Sequence, residues 1–597
     1  MAISKGLSKN TILLNTILSN NGWVRDLLIC IWFIALAVII NLKPIMDGIL
    51  FEAHDVWLHL FWLDQFFHQL SEGILYPRWL ATANYGLGSP AFVFYPPLIY
   101  FLGSLARFAL NIGTMPEFIL LQTASVAAAG LAAYFSWKDR FGRLTAFVTA
   151  SFYALSPYLM FDCYIRAALT ESWTFTELPL IFYATDRALD DAKHLPLLVL
   201  LWSTLVLTNI PITVLALIIW STYVSLRVFV DRGQEKITVL ALRLARLYGC
   251  LTLSFACAAF YFLPAFSERS YINANVWLKP SVLDTTYGGA GLAKNPELIP
   301  LMFYVLVSGF ILAAAATAAW KILKEPMAPL LAWLGVFLIQ AFLISGWSRP
   351  LWVHINVLQY VQFAWRGLVF VSLINATFFA WCMFSTLKLP PTKRLHRILC
   401  LVMLAQFLIS NGLADFLLAK FRRGLNGTEP QMISNQTDMK VYAARASTLP
   451  ELMKSATWFP EASEYAPVIQ KTHLAVPEPR PTQPPVPLVF SDALTQVRRW
   501  TSYDRQISAS ATTQTKLKIR TFYFPGWTAY IDGQRVAIEQ ADDGLIQIDL
   551  PTGLHQVEVR FERTIWERLG ILLSSISYAA VLLWFAATSF TKRNDRA

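Results

Sequence analysis

Residues 195–230 read LPLLVLLWSTLVLTNIPITVLALIIWSTYVSLRVFV, an apolar run whose single charged residue is Arg227. About 20 apolar residues cross the ~30 Å hydrocarbon core of a bilayer, so this run is too long for one membrane span. It contains Asn209-Ile210-Pro211, and a helix ends at or before the residue that precedes a proline. The stretch therefore predicts two consecutive membrane helices that meet near Asn209.

The rest of the chain has the same apolar character. Of its 597 residues, 56% are hydrophobic and 15% are charged, whereas soluble domains carry roughly 25% charged residues. The further apolar runs are residues 27–42, 118–134, 145–160, 173–184, 244–266, 298–320, 330–344, 368–384, 398–416 and 571–587. They predict an α-helical polytopic membrane protein with about 12 spans. Because no small-residue cleavage site follows residues 27–42, we interpret this first run as an uncleaved anchor.

The basic residues indicate how the spans are oriented. The net charge of +11 resides in short loops between spans, a pattern typical of cytoplasmic loops, and it argues against a nucleic-acid-binding surface. The loops obey this rule only if residues 97–110, which contain Arg107, form a helix on the outer surface. We therefore expect a plasma (inner) membrane protein with both termini in the cytoplasm. The predicted outer loops are residues 48–117, 162–172, 267–297 and 346–366.

The C-terminal part of the chain differs from the helical region, residues 1–421. Residues 422–487 are polar and rich in proline, which is typical of a linker. Residues 488–563 alternate apolar and polar positions between the turn pairs Asp532-Gly533, Asp543-Gly544 and Thr552-Gly553. This pattern predicts an extracytoplasmic antiparallel β-sandwich with a structural or recognition role. Residues 564–597 then form a final membrane helix and a cytoplasmic tail.

The first outer loop is rich in acidic and histidine residues. Glu52, His54 and Asp55 precede an aromatic segment, and helical spacing places Asp55, His59 and Trp62 on one face. A carboxylate here could act as a base or a metal ligand. Alternatively, the segment is an interfacial helix whose polar residues face water. In that case Asp55 is an ordinary N-cap.

Two further outer loops carry paired charges. Asp162, Arg166 and Glu171 lie in the second loop, and ionisable residues near membrane depth are usually functional. Gln362 and Arg366 stand at the outer end of a later span. Arg366 either binds a lipid phosphate or extends its side chain to the membrane surface.

At these positions the sequence resembles the GT-C superfamily, polytopic glycosyltransferases that use polyprenyl-phosphate sugars. The resemblance rests on Asp55 after a span, residues 76–79 (YPRW) and residues 95–98 (YPPL). The chain is more similar to bacterial membrane proteins labelled "6-pyruvoyl-tetrahydropterin synthase-related", over most of its length. That similarity also includes residues 166–171 (RAALTE), 362–366 (QFAWR) and 524–527 (FPGW). The sandwich resembles the extracytoplasmic domain of bacterial proteins that glycosylate cell-wall polymers.

The resemblance implies an inverting glycosyltransferase that moves a sugar from a polyprenyl-phosphate donor to an extracytoplasmic glycan, lipid or envelope polymer. It implies Asp55 as the base, with Arg166, Arg366 and Gln362 beside the departing phosphate. Glu171 or Glu52 would then orient the acceptor or a metal ion. The second loop lacks an Asp-x-Asp motif, which leaves the need for a divalent metal ion open. The candidate metal ligands are Asp55, His59 and Asp162.

Two other functions fit the sequence. A transporter or flippase of lipid-linked sugars would place ionisable residues near mid-membrane and often contain inverted repeats. The chain has no detectable internal repeat, and its charges crowd at the outer face, which favours the transferase. A non-catalytic scaffold for envelope assembly is the third hypothesis.

Overall fold

The structure, a computed structural model, describes residues 22–48, 50–51, 53–231, 235–274, 298–323, 327–423, 432–433, 465–470, 474–475 and 487–594. The α-helices are α1 (Gly22–Ile40), α2 (Leu42–Asp47), α3 (Val56–Ser71), α4 (Ala83–Gly86), α5 (Ala91–Phe94), α6 (Leu98–Leu110), α7 (Thr114–Phe141), α8 (Arg143–Ala154), α9 (Pro157–Phe161), α10 (Leu169–Asp190), α11 (Leu195–Thr208), α12 (Ile210–Val230), α13 (Ile237–Cys257), α14 (Ala259–Ser267), α15 (Leu298–Leu323), α16 (Met327–Ile344), α17 (Arg349–His354), α18 (Asn356–Gln359), α19 (Leu368–Lys388), α20 (Arg394–Arg423) and α21 (Ile565–Asn594). The strands are β1 (Leu50–Phe51), β2 (Met432–Ile433), β3 (Val468–Ile469), β4 (Leu474–Ala475), β5 (Val489–Phe490), β6 (Leu494–Trp500), β7 (Asp504–Ala511), β8 (Thr515–Phe522), β9 (Trp527–Ile531), β10 (Gln534–Val536), β11 (Glu539–Gln540), β12 (Leu545–Leu550) and β13 (Gly553–Phe561). Most of the predicted loop 267–297 and of the predicted linker 422–487 lies outside the described residues.

The helical region confirms the predicted polytopic membrane fold. Within the described residues, nine helices are long and apolar enough to cross a membrane. The apolar runs of the sequence are helical, although residues 27–42, 145–160, 195–230 and 244–266 each cross a break between two consecutive helices. However, α11 and α16 belong to a group of shorter apolar helices, and α10, which contains the predicted span 173–184, is not among the nine.

The predicted break in residues 195–230 is confirmed at Asn209. This residue has an extended backbone (φ −156°, ψ 109°) between α11 and α12. Its side-chain oxygen accepts a hydrogen bond from the Ile212 N–H at 3.0 Å and so caps α12. Its amide nitrogen donates to the Thr170 hydroxyl at 3.1 Å, which ties the break to the start of α10.

Helix α6 matches residues 97–110, the segment on which the topology depends. It has 13 residues, or about 20 Å at 1.5 Å per residue, which is shorter than the hydrocarbon core. Arg107 forms ion pairs with Asp64 of α3 at 3.2 Å and Glu117 of α7 at 3.5 Å. The length and the pairing agree with a surface helix, while the side of the membrane stays a prediction.

The C-terminal β-sandwich is also confirmed. One sheet has the order β10-β9-β13-β7-β6 and the other β11-β12-β8-β5, and every pairing between these strands is antiparallel. The hairpin between β9 and β10 turns at Asp532 (φ 49°) and Gly533 (φ 80°), the left-handed pair that a tight two-residue turn requires. The domain boundaries given above stay predictions.

Two motifs far apart in the sequence form the contact between the sandwich and the segment that follows α3. Trp79 is fully buried, and its ring lies 6.2 Å from Phe524, 5.5 Å from Trp527 and 5.5 Å from Phe561. A Cβ atom on Gly88 would lie 2.3 Å from the Trp79 ring, so only glycine fits beside it. The sandwich is therefore fixed against the loop that carries Asp55.

Polar groups strengthen the same contact. The Tyr503 hydroxyl accepts hydrogen bonds from the backbone N–H groups of Arg78 at 2.6 Å and Trp79 at 3.1 Å. Glu72, just after α3, accepts a hydrogen bond from the Ser502 hydroxyl at 3.1 Å. The sandwich thus contacts α3 and the segment that follows it.

Candidate functional site

Asp55 immediately precedes α3, and its carboxylate is not used as a helix cap. The residue has N-cap position but makes no side-chain cap hydrogen bond. Within the described part of the chain, the carboxylate has no hydrogen bond or ion pair, and the residue is half-buried. Its backbone N–H donates to the Arg166 carbonyl at 2.9 Å, which joins the two predicted acidic loops.

His59 lies one helical turn from Asp55 and is neutral near pH 7. It is 3% exposed, and its Nδ1 lies 2.6 Å from the Tyr100 hydroxyl. Burial lowers the pKa of His59 to about 4, although the neighbouring Asp55 acts in the opposite direction. The predicted shared face of Asp55, His59 and Trp62 therefore packs into the protein, with Trp62 fully buried, rather than facing water at a membrane surface.

Tyr95 connects this face with the other loops. Its hydroxyl lies 2.9 Å from the Thr170 hydroxyl, and Thr170 also bonds to Asn209. Burial, with a smaller contribution from Asp55, raises the pKa of Tyr95 to about 12, although the hydrogen bond to Thr170 and the charge of Arg366 act to lower it. Tyr95 thus lies within electrostatic range of both the acidic and the basic side of the site.

Residues 162–171 form a buried ion network around Arg166. Its Nη1 donates to Asp162 Oδ1 and to Glu171 Oε2, both at 2.7 Å. The Tyr158 hydroxyl donates to Glu171 Oε1 at 2.8 Å, and Arg366 Nε donates to Glu171 Oε2 at 3.1 Å. Glu171 is therefore fully occupied as the carboxylate between two arginines.

The backbone is strained next to both arginines. Residues Asp162–Arg166 form a π-helical turn, a feature often found at functional sites. Ala167 (φ 54°) follows it, and Gln362 (φ 64°) lies near Arg366. The other non-glycine residues with positive φ that the structure describes are asparagine or aspartate, which tolerate this region well. Strain at Ala167 and Gln362 is typical of a site whose geometry is fixed by its surroundings.

Arg366 also bonds to Val361 and Gln362. Its Nη1 donates to the Val361 carbonyl at 2.8 Å and to Gln362 Oε1 at 3.1 Å. Its Nη2 has no hydrogen bond to any residue that the structure describes, and the side chain is 11% exposed. By contrast, Arg166 is 5% exposed at its side chain and is bonded to two carboxylates.

The predicted site residues are therefore only partly brought together. Asp55 and His59 lie beside the network of Asp162, Arg166 and Glu171, whereas Glu52 lies outside the described residues. No three or more His, Cys, Asp or Glu side chains are grouped to hold a metal ion in the described ranges. One oxygen of Asp162 is bonded to Arg166. The metal-binding role of Asp55, His59 and Asp162 stays a prediction from the sequence.

Several tyrosines of the site were missed by the sequence analysis. Tyr95 belongs to the quoted YPPL segment but was given no role. Tyr100 lies in α6, and its ring is 5.9 Å from that of Tyr95. Helical periodicity does not predict this contact, because Tyr95 has an extended backbone before Pro96 and Pro97. Tyr158 and Tyr465 carry no local signal, because their positions depend on contacts distant in sequence.

A cavity of about 200 Å³ lies at the opposite end of the helices. Helix α10 runs from Glu171 to this cavity, where it carries Asp186, about 22 Å away at 1.5 Å per residue. The cavity is lined by charged residues that bond to one another, including Arg187 with Asp139 and Arg140 with Asp186. We assign it no role in the chemistry below.

The fold and the site define a multi-pass helical membrane protein with a β-sandwich docked beside a cluster of ionisable residues. No protein-family model and no curated protein matches the sequence, so the similarity to the "6-pyruvoyl-tetrahydropterin synthase-related" proteins stays a prediction. Among solved structures, the chain is similar to the crystal structure of the Archaeoglobus fulgidus oligosaccharyltransferase in complex with zinc and sulfate. The two share 15% identity with a TM-score of 0.42, over 76% of this chain and 59% of that one. The chain therefore spans about three fifths of that protein.

Proposed function

We propose that this chain is a membrane glycosyltransferase that uses a polyprenyl-phosphate sugar and transfers it at the extracytoplasmic face. The observation that carries the proposal is the carboxylate of Asp55. It is half-buried, makes no hydrogen bond or ion pair to the described residues, and lies beside Arg166 and Tyr95. A carboxylate held in this way at the rim of a site can accept a proton from an incoming hydroxyl group.

The chemistry follows as a single displacement. Asp55 takes the proton from the acceptor hydroxyl as that oxygen bonds to the anomeric carbon of the sugar. The bond between that carbon and the phosphate oxygen breaks, and the phosphate leaves on its lipid with the bonding electron pair. Attack from the face opposite the phosphate inverts the anomeric configuration.

Arg366 is assigned to the departing phosphate. Its Nη2 makes no hydrogen bond to a described residue, and its side chain is 11% exposed against 5% for Arg166. Donors aimed at developing charge are a large part of transition-state stabilisation. Gln362 and Glu171 hold the guanidinium in place through their hydrogen bonds to it. Arg166 and Glu171 are then positioning residues, which refines the roles that the resemblance implied for them.

The proposal is tested with the full chain in proteoliposomes. Radiolabelled polyprenyl-phosphate glucose, mannose and galactose serve as probes, with an extract of envelope polymers and lipids as the acceptor. We expect release of free polyprenyl phosphate together with label in the acceptor fraction for one of these sugars. Movement of the intact donor across the bilayer without cleavage of the sugar–phosphate bond would support the flippase instead. If the donor is neither moved across the bilayer nor cleaved, the scaffold is favoured.

A further inference from the structure

A short described segment of the predicted linker, residues 465–470, reaches the site around Asp55. The Tyr465 side chain is buried, and its ring lies 5.8 Å from Trp62 and 6.4 Å from Tyr95. Trp62 and Tyr95 are themselves 4.5 Å apart with their rings at 63°. Tyr465 therefore completes an aromatic cluster that belongs to α3 and to the YPPL segment.

The β-sandwich holds this segment from one side. The Gln540 side-chain amide accepts a hydrogen bond from the Gln470 N–H at 2.8 Å and donates one to the Val468 carbonyl at 2.9 Å. One amide group thus pairs with a donor and an acceptor of the segment, as a neighbouring strand would. Gln540 lies on β11, an edge strand of its sheet.

The outer end of the helical region holds the segment from the other side. The Asn273 N–H donates to the Ala466 carbonyl at 2.9 Å, and Ile272 forms a β-bridge with Pro467. Residues 465–470 are therefore fixed between the sandwich and the residues that follow α14. Tyr465 enters the site from this fixed segment.

We propose that Tyr465 is a positioning residue of the transfer reaction, and that the β-sandwich keeps it in place through Gln540. This inference rests on the proposed function. Tyr95 is half-buried, and its hydroxyl lies 2.9 Å from that of Thr170, next to Glu171 of the ion network. We assign the accessible part of its ring to the C–H face of the donor sugar. Tyr465 packs on Tyr95 and Trp62 and sets the orientation of that ring. The sandwich is then a part of the transfer site rather than a separate recognition module.

The test uses four variants of the full chain. Tyr465→Ala removes the ring, Tyr465→Phe keeps it, and Gln540→Ala removes the attachment to the sandwich. The matched control is Gln547→Ala, since Gln547 lies on the adjacent strand of the same sheet and bonds to the Glu539 side chain rather than to the segment. Hydrogen exchange of residues 465–470 and 91–101 is measured first, because it requires no substrate.

We expect Gln540→Ala to accelerate exchange in residues 465–470, and both Gln540→Ala and Tyr465→Ala to accelerate it in residues 91–101. Both should also lower kcat/KM for the donor probe about three- to tenfold, the range that corresponds to one aromatic ring pair. Tyr465→Phe and Gln547→Ala should behave like the natural chain. An increase of KM with little change of kcat would place the effect on the sugar rather than on global stability.

Unchanged exchange in residues 91–101 for both Tyr465→Ala and Gln540→Ala would overturn the inference, whatever the activity. Unchanged kcat/KM in Tyr465→Ala would overturn it as well. If the chain is active without Asp55, the assignment of Asp55 as the base is contradicted, but the inference about Tyr465 is not. Hydrogen exchange tests whether Tyr465 supports residues 91–101, and this test does not depend on the activity of the Asp55 variant.

Discussion

Removal of the Trp79 side chain should release the β-sandwich from the segment that follows α3. An aromatic side chain of this kind buries about 150 to 250 Å², and at about 25 cal/mol per Å² its burial contributes about 4 to 6 kcal/mol. Measured losses for Trp→Ala in packed cores are about 3 to 5 kcal/mol. Since Trp79 is fully buried among Phe524, Trp527 and Phe561, we expect Trp79→Ala to lose about 3 kcal/mol or more of docking free energy.

A loss of this size raises the population of the undocked sandwich about 10²-fold or more, since 1.4 kcal/mol corresponds to a factor of ten. Hydrogen exchange of residues 522–527 and 76–80 in the full chain measures it directly. Trp347→Ala is the matched control, because Trp347 is 85% exposed. Equal exchange in the two variants would refute the packing described for Trp79.

Three further predictions concern the site and its supports. Arg366→Gln should lower donor turnover about 10²- to 10³-fold. Arg269→Gln is the control, because Arg269 is an exposed arginine just after α14, and it should leave turnover unchanged. Equal activity of the two variants would contradict the phosphate role. Gly367→Ala should also impair turnover, because a Cβ there would lie 1.8 Å from Gln340 Nε2. Adding Gln340→Ala to this variant should restore turnover. Failure of the second change to restore turnover would contradict the clash with Gln340. The third prediction concerns the pKa of Glu72. Burial acts to raise this pKa, but hydrogen bonds from His68 and from Ser502 of the sandwich lower it below its ordinary 4.5. Its contribution to docking is therefore complete above pH 4.5 and lost as the pH falls through the lowered value. Exchange of residues 500–505 should rise in that range, and Glu72→Gln should abolish the step.

The sequence predicted those parts of the fold that depend on local physics. Pro211 marks the break at Asn209 because it lies in the first turn of α12, where its missing N–H has no intrahelical partner. The Asp532-Gly533 pair predicts its hairpin because both positions require positive φ. The apolar runs predict the helices because a bilayer leaves no other partner for their backbone groups.

Contacts between distant residues could not be predicted in this way. The sequence contained both YPRW and FPGW, but nothing local shows that Trp79 packs against Trp527. The buried ion network had a similar limit, since the spacing grouped Asp162, Arg166 and Glu171 without showing that Arg166 is bonded to both carboxylates. The position of Tyr465 in the site follows from a segment interpreted as a linker, whose role depends on contacts with the sandwich.

The most direct test of the proposed chemistry is the Asp55→Asn variant in the proteoliposome assay. Asparagine keeps the size of the side chain and cannot accept the proton, so turnover should fall about 10²- to 10⁴-fold while the donor still binds. Asp47→Asn is the control, because Asp47 is an exposed aspartate at the end of α2. Transfer at the natural rate by Asp55→Asn, with the donor bound normally, would contradict Asp55 as the base.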